Sequence, residues 1–467
     1  MRRPAGSALV CGLASLIAGC SLAPQYVRPT PPVPASWPAG DAYLAQSEAS
    51  LPAVSYRDIF TDPRLQALVE QALANNRDLR VAAANLAAAR AQVRAVRANQ
   101  FPEVGVSASA TRDSGANGKA ASESYAISGG ISAFELDLFG RLASATEAQR
   151  QAALATEASA RTVRLGLVAD LVNAWAQYAA NAELLRIAQD TATSAQATVR
   201  LTRARLEGGV APRTDVSAAV QVLSSAEADM AAQTTALAQG RNLIELLVGA
   251  PFDPNLLPAD LGEVAASVRV LPAGTRSEVL LRRPDVVAAE YDLRAANANI
   301  GAARAALFPR ITLTGLLGLA STSLSDLFAG GAFHTTAGGA ASYSIFSAGG
   351  ARAQVAASEA RRDAALATYE KAIQVAFREV SDALARQGTI GDEVSAVERN
   401  TAAAGDTAAL VGARYRGGVA SALDNLVAQR GYYAARRALV AERLALIGNR
   451  VILYRVLGGD QAVASAR

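Results

Sequence analysis

The side chains that most often perform catalysis are sparse in this sequence. One histidine, His334, occurs among 467 residues, with only two cysteines, Cys11 and Cys20. A Ser-His-Asp site would require that histidine, yet His334 falls in a polar stretch that predicts a long loop. The sequence contains no phosphate-loop pattern, dinucleotide fingerprint or Cys/His metal motif. An enzyme is therefore disfavoured, and neither a metal nor a cofactor is expected.

Two carboxylates, by contrast, stand at matching places in an internal repeat. The motif Gly-Gly-Val-Ala begins at Gly208 and again at Gly417, and an aspartate follows each at the same spacing, Asp215 and Asp424. A duplication over so long a period predicts two similar modules in one chain. Glycine is the residue that most often ends a helix, so each motif predicts a turn between two helices.

Long helices are predicted to carry these turns. No proline interrupts Arg141–Leu206 or Ala351–Arg416, so each is predicted to be a helix of about 65 residues and about 100 Å. Gly388–Gly391 is a candidate interruption of the second. Apolar residues recur every seven positions in the helices that return from the turns, which favours coiled-coil packing over an ordinary helix core. A further helix is predicted over Thr61–Gln100, started by Asp62 before Pro63.

Short alternating segments precede each long helix. They predict strands at about 103–112, 124–135, 310–320 and 339–347, and period-two alternation of about ten residues is typical of membrane β-strands. A closed barrel needs about eight strands. The chain is therefore predicted to oligomerise if these four enter a membrane. Two surface hairpins on a soluble helical protein remain the alternative.

The N-terminus predicts export. Met1-Arg2-Arg3 is followed by an apolar stretch and then by Leu16–Cys20, which resembles a bacterial lipobox. Cleavage before Cys20 would leave its sulfur to carry lipid, and Ser21 fits sorting to the outer membrane. An ordinary secretory signal with a chance cysteine is the alternative. The net charge of +4 is small for this length, and no aromatic-plus-basic cluster indicates nucleic-acid binding.

These signals divide the chain into six segments. They are a signal peptide at 1–19, an extended lead-in at 20–60, a first repeat at 61–250, a linker at 251–275, a second repeat at 276–458 and a tail at 459–467.

Several stretches together resemble the TolC/OprM-type outer-membrane factors, in particular the lipoprotein branch often called NodT-type. They are Phe134–Arg141, Leu281–Asp285, Ala296–Pro309, Tyr369–Gln374 and Arg414–Val419. The resemblance extends over nearly the whole chain after Cys20. It implies an α+β membrane protein with the TolC-like fold. That fold is a homotrimer with a 12-stranded outer-membrane β-barrel, four strands from each subunit, and a long periplasmic α-helical coiled-coil barrel.

The resemblance also implies a function. The chain would be the lipid-anchored exit duct of a tripartite efflux system, with outer-membrane lipid around it and a gate at its periplasmic end. Its partners would be a periplasmic membrane-fusion adaptor and an inner-membrane transporter of the RND type, without nucleic acid. The alternatives are a non-channel periplasmic coiled-coil lipoprotein and, within transport, a type I secretion duct. The exported cargo stays open.

Roles for particular residues follow from the same resemblance. The expected gate residues are Leu423, Asp424, Val427 and Arg430, with Val427 where the family carries a second acidic residue. The expected latch joins Tyr415 to Thr214 and Asp215. The expected adaptor-docking residues are Gly208, Gly209, Val210, Gly417, Gly418 and Val419. Alternatively, Asp215 and Asp424 simply begin helices, where negative charge is favourable.

Overall fold

The structure is a computed structural model that describes residues 22–38, 42–43, 55–114, 122–270 and 277–459. Within them the chain consists of long helices and one four-stranded sheet. The predicted signal peptide, Cys20 and residues 460–467 lie outside the described residues, so what the sequence indicates there stays a prediction.

The same order of elements occurs twice. In the first half it is α1 (Tyr56–Ile59), α2 (Pro63–Asn75), α3 (Arg77–Ala98), β1 (Val104–Asp113), β2 (Ser122–Glu135), α4 (Arg141–Glu207) and α5 (Arg213–Val248). After the short helix α6 (Leu261–Ser267), the second half contains α7 (Pro284–Ala305), β3 (Arg310–Ser321), β4 (Phe333–Ser342), α8 (Gly350–Arg416) and α9 (Ala422–Val456). Each half thus presents helix, two strands, a long helix and a returning helix.

Backbone contacts divide the chain into two compact units. The sheet unit comprises Met1–Pro31, Ala84–Ala158 and Val287–Lys371, and it contains all four strands. The helical unit comprises Pro32–Ala83, Ser159–Val286 and Ala372–Arg467, and it contains both Gly-Gly turns.

The two long helices confirm their prediction. α4 and α8 have 67 residues each. α8 continues through Gly388–Gly391, so the candidate interruption was wrong. A glycine in a helix costs about 1 kcal/mol but keeps its N–H donor, whereas a proline would lose it. Among the described residues, no helix combines the length and the hydropathy that crossing a membrane requires.

The predicted helix over Thr61–Gln100 is broken at Asn76. The start at Asp62 is confirmed, because its side chain accepts a hydrogen bond from the Arg64 amide. At Asn76 the backbone turns extended, and the side-chain Oδ1 accepts from the amide of Asp78 at 2.8 Å. Its Nδ2 donates to the Leu247 carbonyl at 2.8 Å. The buried side chain of Asn76 therefore caps α3 where α2 ends, and it hydrogen-bonds to α5.

The sheet is antiparallel, in the order β1-β2-β3-β4. Because directly paired residues share a face, the register defines two faces. The apolar face contains Val104, Val106, Ile127, Ile131, Leu317, Leu319 and Phe333. The polar face contains Ser107, Ser109, Thr111, Ser124, Ser128, Gly318, His334 and Thr336. A register shift between Ile131 and Phe134 interrupts β2.

The predicted bounds of the fourth strand were wrong. β4 pairs from Leu319 opposite Phe333 to Arg310 opposite Ser342. β3 begins at Arg310, directly after Pro309, so residues beyond Ser342 have no backbone partner on it. The alternation that suggested 339–347 came from residues beyond the strand, while glycine and alanine concealed the strand itself. His334 consequently lies in β4 rather than in the predicted loop.

An ionic cluster fastens the N-terminal segment of the sheet unit to α7. The carboxylate of Glu290 is buried and accepts hydrogen bonds from Arg28 at 2.9 and 2.7 Å and from Arg294 at 2.6 Å. The hydroxyl of Tyr26 donates to it at 3.2 Å. Burial raises the pKa of Glu290, but the arginine hydrogen bonds outweigh burial and hold the pKa below its usual value.

Replacing Glu290 with Gln tests this cluster. A carboxyl whose pKa is lowered by folding contributes stability above its unfolded pKa, near 4.5, and loses it as pH falls through the folded value. E290Q should lose about 1–3 kcal/mol of unfolding free energy at pH 7 and show a weaker acid dependence. Denaturant unfolding of detergent-purified protein at pH 7 and pH 3.5 measures both.

Glu70→Gln is the control, because Glu70 and its partner Arg57 are both more than half exposed. Exposed ion pairs contribute little to stability. Equal losses in the two variants would contradict a stabilising role for the buried cluster.

Candidate functional site

The two Gly-Gly turns have the same backbone geometry. The amide of Val210 donates to the Arg205 carbonyl at 2.9 Å, and the amide of Val419 donates to the Arg414 carbonyl at 3.0 Å. In each turn the second glycine has a positive φ, 74° at position 209 and 80° at position 418. Only glycine adopts this conformation without strain, which explains its place in both turns.

The tips of both turns are open to solvent. Val210 is 77% exposed and Val419 is 69% exposed, which is unusual for valine. All six predicted docking residues are exposed; they are Gly208, Gly209, Val210, Gly417, Gly418 and Val419. The turns therefore present two similar surfaces, each with an apolar side chain at its end.

The predicted gate residues lie on one face of α9. Leu423 and Val427, four residues apart, are 68% and 59% exposed, while Asp424 and Arg430 are also exposed. Residues spaced by three or four positions share one side of a helix. The opposite side is buried through Ala422, Asn425 and Leu426. The structure thus brings the four gate residues together, with Leu423, Asp424 and Val427 facing away from the packed side and Arg430 at its border with α5.

Asp424 also caps its own helix. Its amide donates to the Ser421 hydroxyl at 3.0 Å, and its carboxylate accepts from the Ser421 amide at 3.3 Å. The alternative that this aspartate begins a helix is therefore correct as geometry. The cap leaves the carboxylate exposed, so it does not exclude a second role. In the first repeat Pro212 takes the place of Ser421, and α5 has no side-chain cap.

The predicted latch is not formed within the chain. Tyr415 is buried, and its hydroxyl shares a hydrogen bond with the Thr202 hydroxyl at 2.9 Å. In the described part of the chain no hydrogen bond joins Tyr415 to Thr214 or Asp215. The reason is packing, because the last turns of α4 hold Tyr415 whereas Thr214 is exposed at the start of α5.

Arg205 is the residue that the sequence reasoning missed. Its guanidinium lies 4.3 Å from the centre of the Tyr415 ring and donates to the Tyr415 carbonyl at 2.6 Å. Its own carbonyl closes the first turn, so Arg205 joins that turn to α8. The sequence repeat could have drawn attention to Arg205, because Arg414 stands at the matching position before the second turn. In the structure Arg414 is exposed.

Packing and polar contacts join α9 to α4 and α5 beside the gate face. Leu426 packs in one cluster with Val199 and Val222. Arg430 donates to the Gln221 side chain at 2.9 Å. The hydroxyl of Tyr433 donates to Asp229 at 2.6 Å, and burial together with this carboxylate raises the pKa of Tyr433 to about 12.

Paired long helices that end in two matching turns, together with a sheet that has one apolar and one polar face, define a class of outer-membrane channel. The profile of the outer membrane efflux protein family matches residues 68–250 and again residues 275–459. The chain belongs to this family.

Relatives with assigned roles support this placement. The toluene efflux pump outer membrane protein TtgC of Pseudomonas putida is 40% identical over 458 residues, 96% of this chain and 94% of the relative. The cation efflux system protein CusC of Escherichia coli is 35% identical over 447 residues, 96% of this chain and 98% of the relative.

Solved structures agree. The open state of the Neisseria gonorrhoeae MtrE outer membrane channel superposes with a TM-score of 0.85 at 34% identity, covering 94% of this chain and 98% of that one. A structure of CusC gives 0.84 at 35% identity, covering 94% of this chain and all of the other. The predicted fold class is confirmed, and the chain is an outer-membrane efflux channel component rather than a structural coiled-coil lipoprotein.

Arg205→Ala and Arg414→Ala form a matched pair that tests the link at the turn. Arg205→Ala removes a cation–π contact and a charge-assisted hydrogen bond, about 1–3 kcal/mol of coupling between α4 and α8. We expect larger single-channel conductance in planar bilayers for R205A, because the pair α4–α5 then separates more easily from the pair α8–α9. R414A should conduct like the unmodified protein. Equal conductance of all three would show that Arg205 does not restrain the turns.

Proposed function

We propose that three copies of the chain form one outer-membrane duct. The support is the sheet itself, in which β1 and β4 are edge strands that each lack a second partner strand within the described part of the chain. Backbone groups in hydrocarbon must be hydrogen-bonded, so these edges need strands from other copies. Three sheets of four strands give a twelve-stranded barrel, with the apolar face toward lipid and the polar face toward the lumen.

Aromatic residues at the ends of the sheet favour this embedding. Phe101 precedes β1, Phe328 follows β3 and Phe346 follows β4, and they are 58%, 75% and 86% exposed. Aromatic side chains flank the apolar band of outer-membrane barrels at both interfaces. Exposed phenylalanines beside strand ends would be costly in water but are stable at a membrane interface.

The duct is proposed to act in a tripartite efflux system, with the two turns docking a periplasmic membrane-fusion adaptor. The inner-membrane partner is an RND-type transporter, which supplies the energy because this sequence has no nucleotide-binding motif. The chain itself is proposed to have no catalytic activity and no cofactor. The relatives' names include both toluene and cations, so relationship alone leaves this chain's cargo open.

The gate is proposed at the exposed face of α9. In a three-fold assembly, the three Asp424 carboxylates form one ring near the axis, which attracts cations and narrows the pore. Leu423 and Val427 form an apolar constriction beside that ring. Arg430, held by Gln221, supplies positive charge one turn further along.

Asp424→Ala is expected to raise single-channel conductance in planar bilayers, because it removes the charged ring. The same change removes one of the two hydrogen bonds of the helix cap, so Ser421→Ala is the control that removes the other bond and keeps the carboxylate. Asp424→Asn, which keeps an oxygen acceptor but loses the charge, should lower the preference for cations. If D424A and S421A change conductance equally, the cap rather than the ring would explain the result.

The anchor is proposed to be lipid on the Cys20 sulfur after cleavage of residues 1–19. When cells are grown with labelled palmitate, the label should appear in the protein that carries no substitution, and Cys20→Ser should abolish it. Mass spectrometry of the N-terminal peptide gives the cleavage site directly. An unmodified peptide that begins at another residue would identify an ordinary secretory signal instead.

A further inference from the structure

One layer of the sheet's polar face contains the only histidine in the sequence. In this layer Ser107 pairs with Ser128, Ser128 with Gly318, and Gly318 with His334. The hydroxyls of Ser107 and Ser128 lie 3.0 Å apart and share a hydrogen bond. The four residues cross all four strands, so they form a continuous polar line on one face of the sheet.

Gly318 makes room for the imidazole. A Cβ atom placed on Gly318 would lie 2.6 Å from the backbone carbonyl oxygen of Ile127, which by itself favours glycine here. It would also lie 3.0 Å from both Cε1 of His334 and Cβ of Ser128. Both neighbours therefore lean over the bare glycine backbone. The Nδ1 atom of His334 is buried and has no hydrogen-bond partner among the described residues. The imidazole ring thus lies against the sheet with this nitrogen unpaired.

The adjoining layers of the polar face are uncharged. On one side Ser109, Ala126 and Ala320 pair across the strands. On the other side the paired residues are Gly105, Gly130, Leu316 and Thr336. Together they offer hydroxyl groups, one leucine and small side chains, but no formal charge.

Charged residues occur only toward the ends of the described sheet. Arg112 and Glu123 lie on the apolar-face register and pair with each other at 3.6 Å. Asp113 ends β1, and Asp326 lies in the turn after β3. At the opposite end, Glu135 pairs with arginines rather than facing the histidine layer.

We propose that His334 sets the charge selectivity of the sheet section of the duct. The inference rests on the proposed barrel, in which the polar face lines the lumen and three copies place three imidazoles in one layer. Histidine is the side chain that changes charge between pH 8 and pH 5. Each imidazole that gains a proton adds one positive charge to an otherwise uncharged layer, so protonation of the three copies favours anionic cargo.

Reversal potentials across planar bilayers test this with potassium chloride as the probe. Under a fixed salt gradient, lowering the pH from 8 to 5 should move the reversal potential of the unmodified channel toward the chloride value. His334→Gln should abolish that movement, and His334→Lys should give the chloride-shifted value at both pH values. The movement should persist in Asp424→Asn, because its source lies in the sheet rather than at the gate.

Each other outcome has a distinct meaning. If H334Q shifts with pH as much as the unmodified channel, other groups are responsible and the role of His334 is overturned. If the shift disappears in D424N but not in H334Q, the gate carboxylate is the titrating group. If the unmodified protein forms no channels at all, the proposed duct fails, and the inference fails with it.

Discussion

The pairing of strand edges is the constraint on which the rest of the molecule depends. The chain contributes four strands in the order β1-β2-β3-β4, so two edges remain open in the described sheet. In hydrocarbon an unpaired backbone amide or carbonyl costs several kcal/mol, and such edges cannot face lipid. Neither repeat alone supplies more than one hairpin to this sheet, and β2 meets β3 only because both repeats are in one chain. Duplication of the hairpin within one chain and association of several chains are therefore two ways to give edge strands a partner.

The helical unit shows how two similar repeats acquire different roles. Both turns have the same backbone hydrogen bonds and the same exposed valine. Their side chains differ, since Ser421 caps α9 where Pro212 gives α5 no side-chain cap. Arg205 reaches Tyr415, whereas the matching Arg414 is exposed. The two turns therefore share one backbone structure, and a few side chains, among them Ser421 and Arg205, make them different.

Charge is distributed unevenly between the elements. On the helices, carboxylates pair with arginines, as Glu290 does with Arg28 and Arg294. The central layers of the sheet's polar face contain serine, threonine, glycine, alanine and one leucine, with His334 among them. Buried or interfacial charge is stable only when it is paired. The arginine pairs of Glu290 meet that requirement, and the polar face of the sheet places His334 among uncharged side chains.

The sequence by itself determined the features that depend on local signals. Glycine pairs predicted both turns, the lack of proline predicted two long helices, and alternation located three of the four strands. Tertiary structure decided the features that depend on distant partners. The register with β3 set the bounds of β4 and placed His334 on the polar face. Packing of α4 against α8 brought Tyr415 into hydrogen-bonding contact with Thr202 and Arg205. These contacts join residues far apart in the chain, and local patterns contain no information about which distant partner a side chain meets.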